Sequence, residues 1–279
     1  ARTACDRAIA LSVELTDRAT LLACDCDIAL RARDVPGGVA ACERQYQARL
    51  DEFGPAHQST YGARSNYAIA LNRAGRPAEA LPLADQNVSH AAALFGERSR
   101  DVAEALLNRA GVEDRLFHAD ASRASLERAL AIVDELGGPA LAMRGALLVE
   151  LSDRALTLGD RAAALRYAER GLAEAERTQT RDDRERVTMM LRGAAVLAAD
   201  RAHRARATAL YAEIVELAEA HPGSVLGTAL AQQADFIGLT AGQPARALPI
   251  AERAFAELER GEGDGLARGR TLALVGRSE

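Results

Sequence analysis

The stretch that decides the fold runs from Phe53-Gly54-Pro55-Ala56-His57, through Ala74-Gly75-Arg76-Pro77, to Phe95-Gly96. Two helical patterns lie between these marks, joined at Gly75-Arg76-Pro77. Gly54 and Gly96 each follow a Phe and stand 42 residues apart. The motif Ala74-Gly75-Arg76-Pro77-Ala78-Glu79-Ala80-Leu81-Pro82 returns as Ala241-Gly242-Gln243-Pro244-Ala245-Arg246-Ala247-Leu248-Pro249, close to four such periods later. Leu158-Gly159-Asp160 sits 84 residues beyond Ala74-Gly75-Arg76, two periods on. A fixed period in this range is the mark of a solenoid built from stacked repeats. Gly suits the left-handed cap that ends a helix, and Pro77 suits the first turn of the next.

Working outward with that ruler, helix pairs are expected at 17–33 and 39–53, 58–74 and 77–95, and 100–117 and 120–136. Three more follow at 140–158 and 161–177, 184–200 and 202–220, and 224–241 and 244–260. Val35-Pro36-Gly37-Gly38 should break the first pair, since Pro lacks the N–H that a helix interior needs. Residues 3–15 and 266–277 read as one further helix at each end. About three extra residues are expected at Leu116–Asp120, and a second insertion near Arg201–Arg206, where the turn glycine is missing. No period-two pattern occurs, so no sheet is expected. The fold class expected is all-α, a right-handed solenoid of antiparallel helix pairs, with residues 1–279 as one domain. The chain opens at Ala1 inside a helical pattern and ends abruptly, which suggests a piece of a longer protein.

Composition agrees. The chain is 48% hydrophobic but only 4% aromatic, with no Trp, and alanine and leucine dominate. Both are strong helix formers that let helices pack closely. Net charge is −5, and all 35 basic residues are Arg. Mild acidity argues against a nucleic-acid partner, which calls for a basic stripe. No apolar run reaches the roughly 18 residues of a membrane span. Cys5, Cys24, Cys26 and Cys42 offer no second pair and no His to complete a zinc set. They read as reduced thiols filling small gaps in the core, and hence as a cytoplasmic protein.

The unit resembles the tetratricopeptide repeat, in the 42-residue variant of the kinesin light chain type. His57, Thr60, Asn66, Ala68, Leu71, Gly75, Glu79, Ala80, Pro82, Leu83 and Phe95-Gly96 carry that resemblance in order and spacing. Asn108, Ala110, Ala129-Leu130-Ala131-Ile132 and Leu136-Gly137 continue it. The resemblance implies a non-catalytic scaffold that binds a protein or peptide partner. Such arrays are commonly appended to bacterial serine/threonine kinases and signalling ATPases, so a regulatory part of a bacterial signalling protein is the setting it permits. A sensor for a small ligand or an intramolecular domain is one alternative, and an enzyme with an unrecognised site in the groove is another.

Catalytic signatures are missing from the sequence. There is no phosphate loop, dinucleotide turn, nucleophile elbow or His pair at metal spacing, so no cofactor and no metal are expected. The five His are scattered; His57, His118 and His221 fall at turns, where capping explains them. Asp182-Asp183 and Glu262/Asp264 read as solvated loop charges.

Because the first helix of each tetratricopeptide pair lines the groove, the resemblance with the Gly75 register implies the inward positions. In the second unit these are Ser65, Ile69, Asn72 and Arg73. One period back come Ala23, Asp27, Leu30 and Arg31. One period on come Leu107, Gly111, Asp114 and Arg115, then Val149, Asp153, Leu156 and Thr157. Phe236 of the sixth unit is a candidate side-chain pocket, with inter-repeat packing as its other reading. Arg31, Arg73 and Arg115 share one repeat position. As a ladder, their planar guanidinium forks would suit an acidic or C-terminal peptide. The same position is the last helical turn, where a cation is favoured by the helix dipole and where Arg31 could pair with Asp27.

Overall fold

The computed structural model describes residues 15–31, 35–177 and 183–260. The terminal helices expected at 3–15 and 266–277, Cys5, Asp182 and the Glu262/Asp264 pair lie outside these residues, save for Leu15. All regular structure among the described residues is helical. The chain falls into two compact units, Ala1–Leu141 and Ala142–Glu279.

The first unit holds three antiparallel pairs: α1 (Leu15–Arg31) with α2 (Val35–Phe53), α3 (Gln58–Arg73) with α4 (Pro77–Phe95), and α5 (Arg100–Arg115) with α6 (Ala119–Leu136). The second holds α7 (Arg144–Thr157) with α8 (Arg161–Arg177), α9 (Asp183–Ala199) with α10 (Arg204–Ala218), and α11 (Ser224–Asp235) with α12 (Pro244–Arg260). Short 3-10 turns at Gly138–Met143 and Arg201–His203 and a π-helical turn at Phe236–Thr240 complete the described chain.

The register is cleaner than the sequence suggested. Gly54, Gly96 and Gly138 all have positive φ, as do Gly75 and Gly159. Between the last two the place belongs to Phe117, the one non-Gly residue with positive φ among the described residues, at 60°. No insertion exists at Leu116–Asp120: α5 ends and α6 begins one period after α3 and α4. The turn needs no added residues, because Phe117 adopts the conformation that Gly75 and Gly159 adopt one period to either side. The second expected insertion is the 3-10 turn at Arg201–His203, opened by the Asp200 carboxylate accepting from the Ala202 N–H at 2.8 Å. Pro36 does not delay α2, which already begins at Val35, since the first helical turn has no N–H to lose. His57 caps α3, its Nδ1 accepting from the Ser59 N–H at 3.1 Å.

Small residues set the helix spacing. Ala63, Ala80, Ala91, Ala103 and Ala129 are buried in the first unit, with Leu71, Leu106 and Leu126 as its larger fully buried side chains. Each such leucine contributes about 1.5–3 kcal/mol on burial. The cysteines depart from expectation. Cys26 on α1 and Cys42 on α2 form a disulfide, with Cα atoms 4.7 Å apart. Cys24 is disulfide-bonded as well, and the described residues hold no free thiol. The reading as reduced thiols is therefore wrong. The approach of Cys26 to Cys42 depends on how α1 folds back against α2, which spacing alone does not reveal.

Candidate functional site

A pocket of about 210 Å³ opens in the first unit between α3, α4 and α5. Ser65, Ile69, Asn72 and Arg73, all expected from the register, line its α3 wall. Leu107 and Gly111 line the α5 wall together with Asn108. The space exists because its walls are made small by Ala68, Ala84, Ala105 and Gly111. Asn72 ties the two walls, its Nδ2 donating to the Gly111 carbonyl at 3.2 Å. A leucine at 111 would fill the cleft that this glycine leaves open.

The remaining expected positions lie elsewhere. Arg73 reaches back across the repeat and donates to the Leu30 carbonyl at 3.0 Å, in the last turn of α1. Arg115 is exposed, and the Arg31 side chain lies outside the described residues. Of the two whose side chains are described, Arg73 borders the pocket and Arg115 does not, and the Arg73 bond is a helix-end cap. Asp27 is exposed on α1 and Asp114 half-buried on α5. In the second unit Asp153 accepts from Arg192 at 2.9 Å, and Glu150 accepts from the same nitrogen at 2.8 Å. Burial pushes the Asp153 carboxyl up, and Arg192 opposes that shift. Arg192 on α9 thus occupies the wall of α7 where, two periods earlier, the first unit has its open pocket. Phe236 is 4% exposed and stacks on Tyr211 with ring centroids 5.3 Å apart. It is a packing residue, the second of its two expected readings, and not a groove side chain.

Two residues that the register of first helices missed shape the pocket's chemistry. Asn87, on α4, lines it and is only 4% exposed. Behind it lies Arg64 of α3, 2% exposed. Arg64 Nε donates to Asn87 Oδ1 at 2.7 Å and Nη1 to Gln86 Oε1 at 3.4 Å. Its Nη2 pairs with His90 Nδ1, and Tyr46 hydrogen-bonds it as well. All of these partners are neutral, and no described carboxylate forms an ion pair with Arg64. Burial lowers its pKa, and burial together with Arg64 holds the His90 imidazole below its ordinary range. Since an arginine only donates, it fixes Asn87 with Oδ1 toward itself and leaves the Nδ2 N–H groups as donors on the pocket side. A donor polarised by a buried cation suits carbonyl or carboxylate oxygen.

The sequence did carry a signal for Arg64. Stepping by one period from it gives Leu22, Leu106, Leu148 and Met190, which are buried at 5%, 1%, 0% and 3%. Arg64 is a charge in a core column.

Among the described residues no group of His, Cys, Asp or Glu could hold a metal ion, and no helix is long and apolar enough to cross a membrane.

With this geometry in place, comparison with known proteins is decisive for the repeat type. The tetratricopeptide repeat family model matches residues 58–135, the stretch that walls the pocket. Residues 58–135 are tetratricopeptide repeats. Solved structures extend the likeness along the chain. The kinesin light chain TPR-like repeats of Podosopora anserina superpose with a TM-score of 0.58 at 19% identity, over 73% of this chain and 98% of that one. BtubC (BKLC) from P. vanneervenii superposes with a TM-score of 0.64 at 15% identity, over 78% and 90%. At such identity the likeness shows fold alone: an all-α solenoid of kinesin-light-chain-like tetratricopeptide pairs. No curated protein matches the sequence. Tetratricopeptide arrays are interaction scaffolds, generally without catalysis, and bind proteins or peptides.

Proposed function

We propose that the chain is a non-catalytic interaction module whose first unit holds an extended segment of a partner protein across the α3–α5 pocket. The observation that carries this reading is the pairing of the open pocket with Asn87, held by the uncompensated Arg64. A backbone carbonyl or an Asp or Glu carboxylate of the segment accepts from Asn87 Nδ2, with Asn72 and Arg73 at the rim. Ile69 and Leu107 give the apolar surface for a neighbouring side chain. Acidity of the partner, expected from an arginine ladder, is here attributed to Arg64 instead.

The volume favours a segment over a free small ligand. Sites for drug-sized molecules run from roughly 300 Å³ upward, above the 210 Å³ present here. The broader setting, the regulatory part of a larger bacterial signalling protein, is supported by resemblance alone and belongs to the same proposal.

The test uses a random peptide library displayed against the immobilised chain. Enriched peptides should contain Asp, Glu or a free C-terminus, and their affinity should fall at least tenfold in both Asn87→Ala and Arg64→Leu. Enrichment that is indifferent to both substitutions would overturn the assignment of the pocket. An enriched neutral peptide that still depends on Asn87 would retain the pocket and reject the acidic partner.

A further inference from the structure

We infer that this chain folds and works in an oxidising compartment, where oxidation of Cys26 and Cys42 is a condition for a stable first helix pair. Both sulfur-bearing residues are at 0% exposure, so the bond is walled off from reductants once the pair has formed. A buried disulfide of this kind is structural, and structural disulfides persist where glutathione and thioredoxin systems do not keep thiols reduced. Cys24, two residues before Cys26, is oxidised too, so every described cysteine is spent in a bridge.

The packing of this pair explains the need. The described buried apolar side chains of α1 and α2 are Leu22, Cys26, Ala29, Val39, Ala41 and Cys42. They include one leucine, whereas α5 and α6 bury Leu106, Leu126, Leu130, Ile132 and Val133. The same pair also buries Asp25, at 1% exposure, against Arg44 of α2 at 2.7 Å, and Gln45 at 6%. Where these residues meet, the bridge and the Asp25–Arg44 pair stand in the place of larger apolar side chains, the condition under which small cores are stapled. In the bond-forming step the two thiols lose two protons and two electrons to a protein or small-molecule disulfide, which leaves as two thiols. Oxidation of the pair also steadies the Leu30 carbonyl that Arg73 of α3 grips.

The experiment counts thiols in the protein as cells make it. Iodoacetamide is added at lysis under denaturing conditions, and the Cys26 and Cys42 peptides are read by mass spectrometry. Both should be unmodified in the native host and in recombinant chain exported to an oxidising compartment. Carbamidomethylation of both in native cells would overturn the inference. A second reading requires no variant. Chain reduced under denaturing conditions, alkylated and refolded should be cut by trypsin within 15–53 at least tenfold faster than oxidised chain, while 58–136 keeps its resistance. Equal cutting rates would show the bond to be dispensable and would equally overturn it. Neither readout involves partner binding, so its outcome is independent of the pocket's.

Discussion

At the scale of single residues, two side chains stand where the repeat calls for something else. Phe117 occupies a left-handed turn position that Gly75 and Gly159 fill in the neighbouring repeats, and it is 93% exposed. A left-handed backbone costs a non-glycine residue about 1–2 kcal/mol, partly offset by glycine's greater freedom when unfolded. Phe117→Gly should therefore raise stability by about 0.5–1 kcal/mol in chemical denaturation, whereas Phe117→Ala, which keeps the strain, should not. Arg64 is the second. Replacing this buried cation by the leucine that Leu22, Leu106 and Leu148 place in the same column should stabilise the first unit by about 2 kcal/mol. The gain in stability with loss of binding separates a functional charge from a structural one. The imidazole beside it supplies a pH test. The His90 pKa is lowered in the folded chain, by burial first and by Arg64 second. The unfolded chain then binds more protons as pH falls through histidine's ordinary range, so stability is lost there. The denaturation midpoint should drop between about pH 7.5 and pH 5.5, and the drop should shrink in Arg64→Leu. A midpoint equally pH-dependent in both proteins would contradict the assigned contact.

At the scale of elements, glycines of opposite character test how helices meet. A Cβ at Gly227 of α11 would fall 2.7 Å from Leu258 Cγ and 3.0 Å from the Leu258 backbone nitrogen. Backbone cannot yield as a side-chain end can, so Gly227→Ala should cost about 1–3 kcal/mol in thermal unfolding. Gly62 of α3 has nothing within 4 Å of the same position. There Gly62→Ala should gain about 0.5–1 kcal/mol through helix propensity. Element boundaries were largely legible in the sequence, because Gly75, Gly159 and Gly242 with the following residues punctuate the helices. The boundary errors have physical causes: Phe117 imitates glycine, and Val35-Pro36 lies in a first turn that tolerates proline. The site was half legible. Helical spacing with the repeat register found Ser65, Ile69, Asn72 and Arg73, but it looked only at first helices. Asn87 comes from a second helix, and Arg64 was hidden in a column counted as core. Phe236 took the packing reading that the sequence also offered, buried against Tyr211.

For the whole molecule, the pattern of charge and cysteine is more informative than their totals. A net charge of −5 and 35 arginines say less than a buried Arg64 that pairs with no described carboxylate and the disulfide between α1 and α2. The Asn87 donor and the pocket it faces are the centre of the functional reading, and side-chain amide NMR reports on them directly. The measurement is the movement of the Asn87 Nδ2H₂ resonances, with the Gly111 backbone amide, on titrating a library-selected peptide into the full chain. Saturable shifts at both, absent in Arg64→Leu, are the expected result. Shifts confined to other helices, with Asn87 and Gly111 unmoved at saturation, would contradict it.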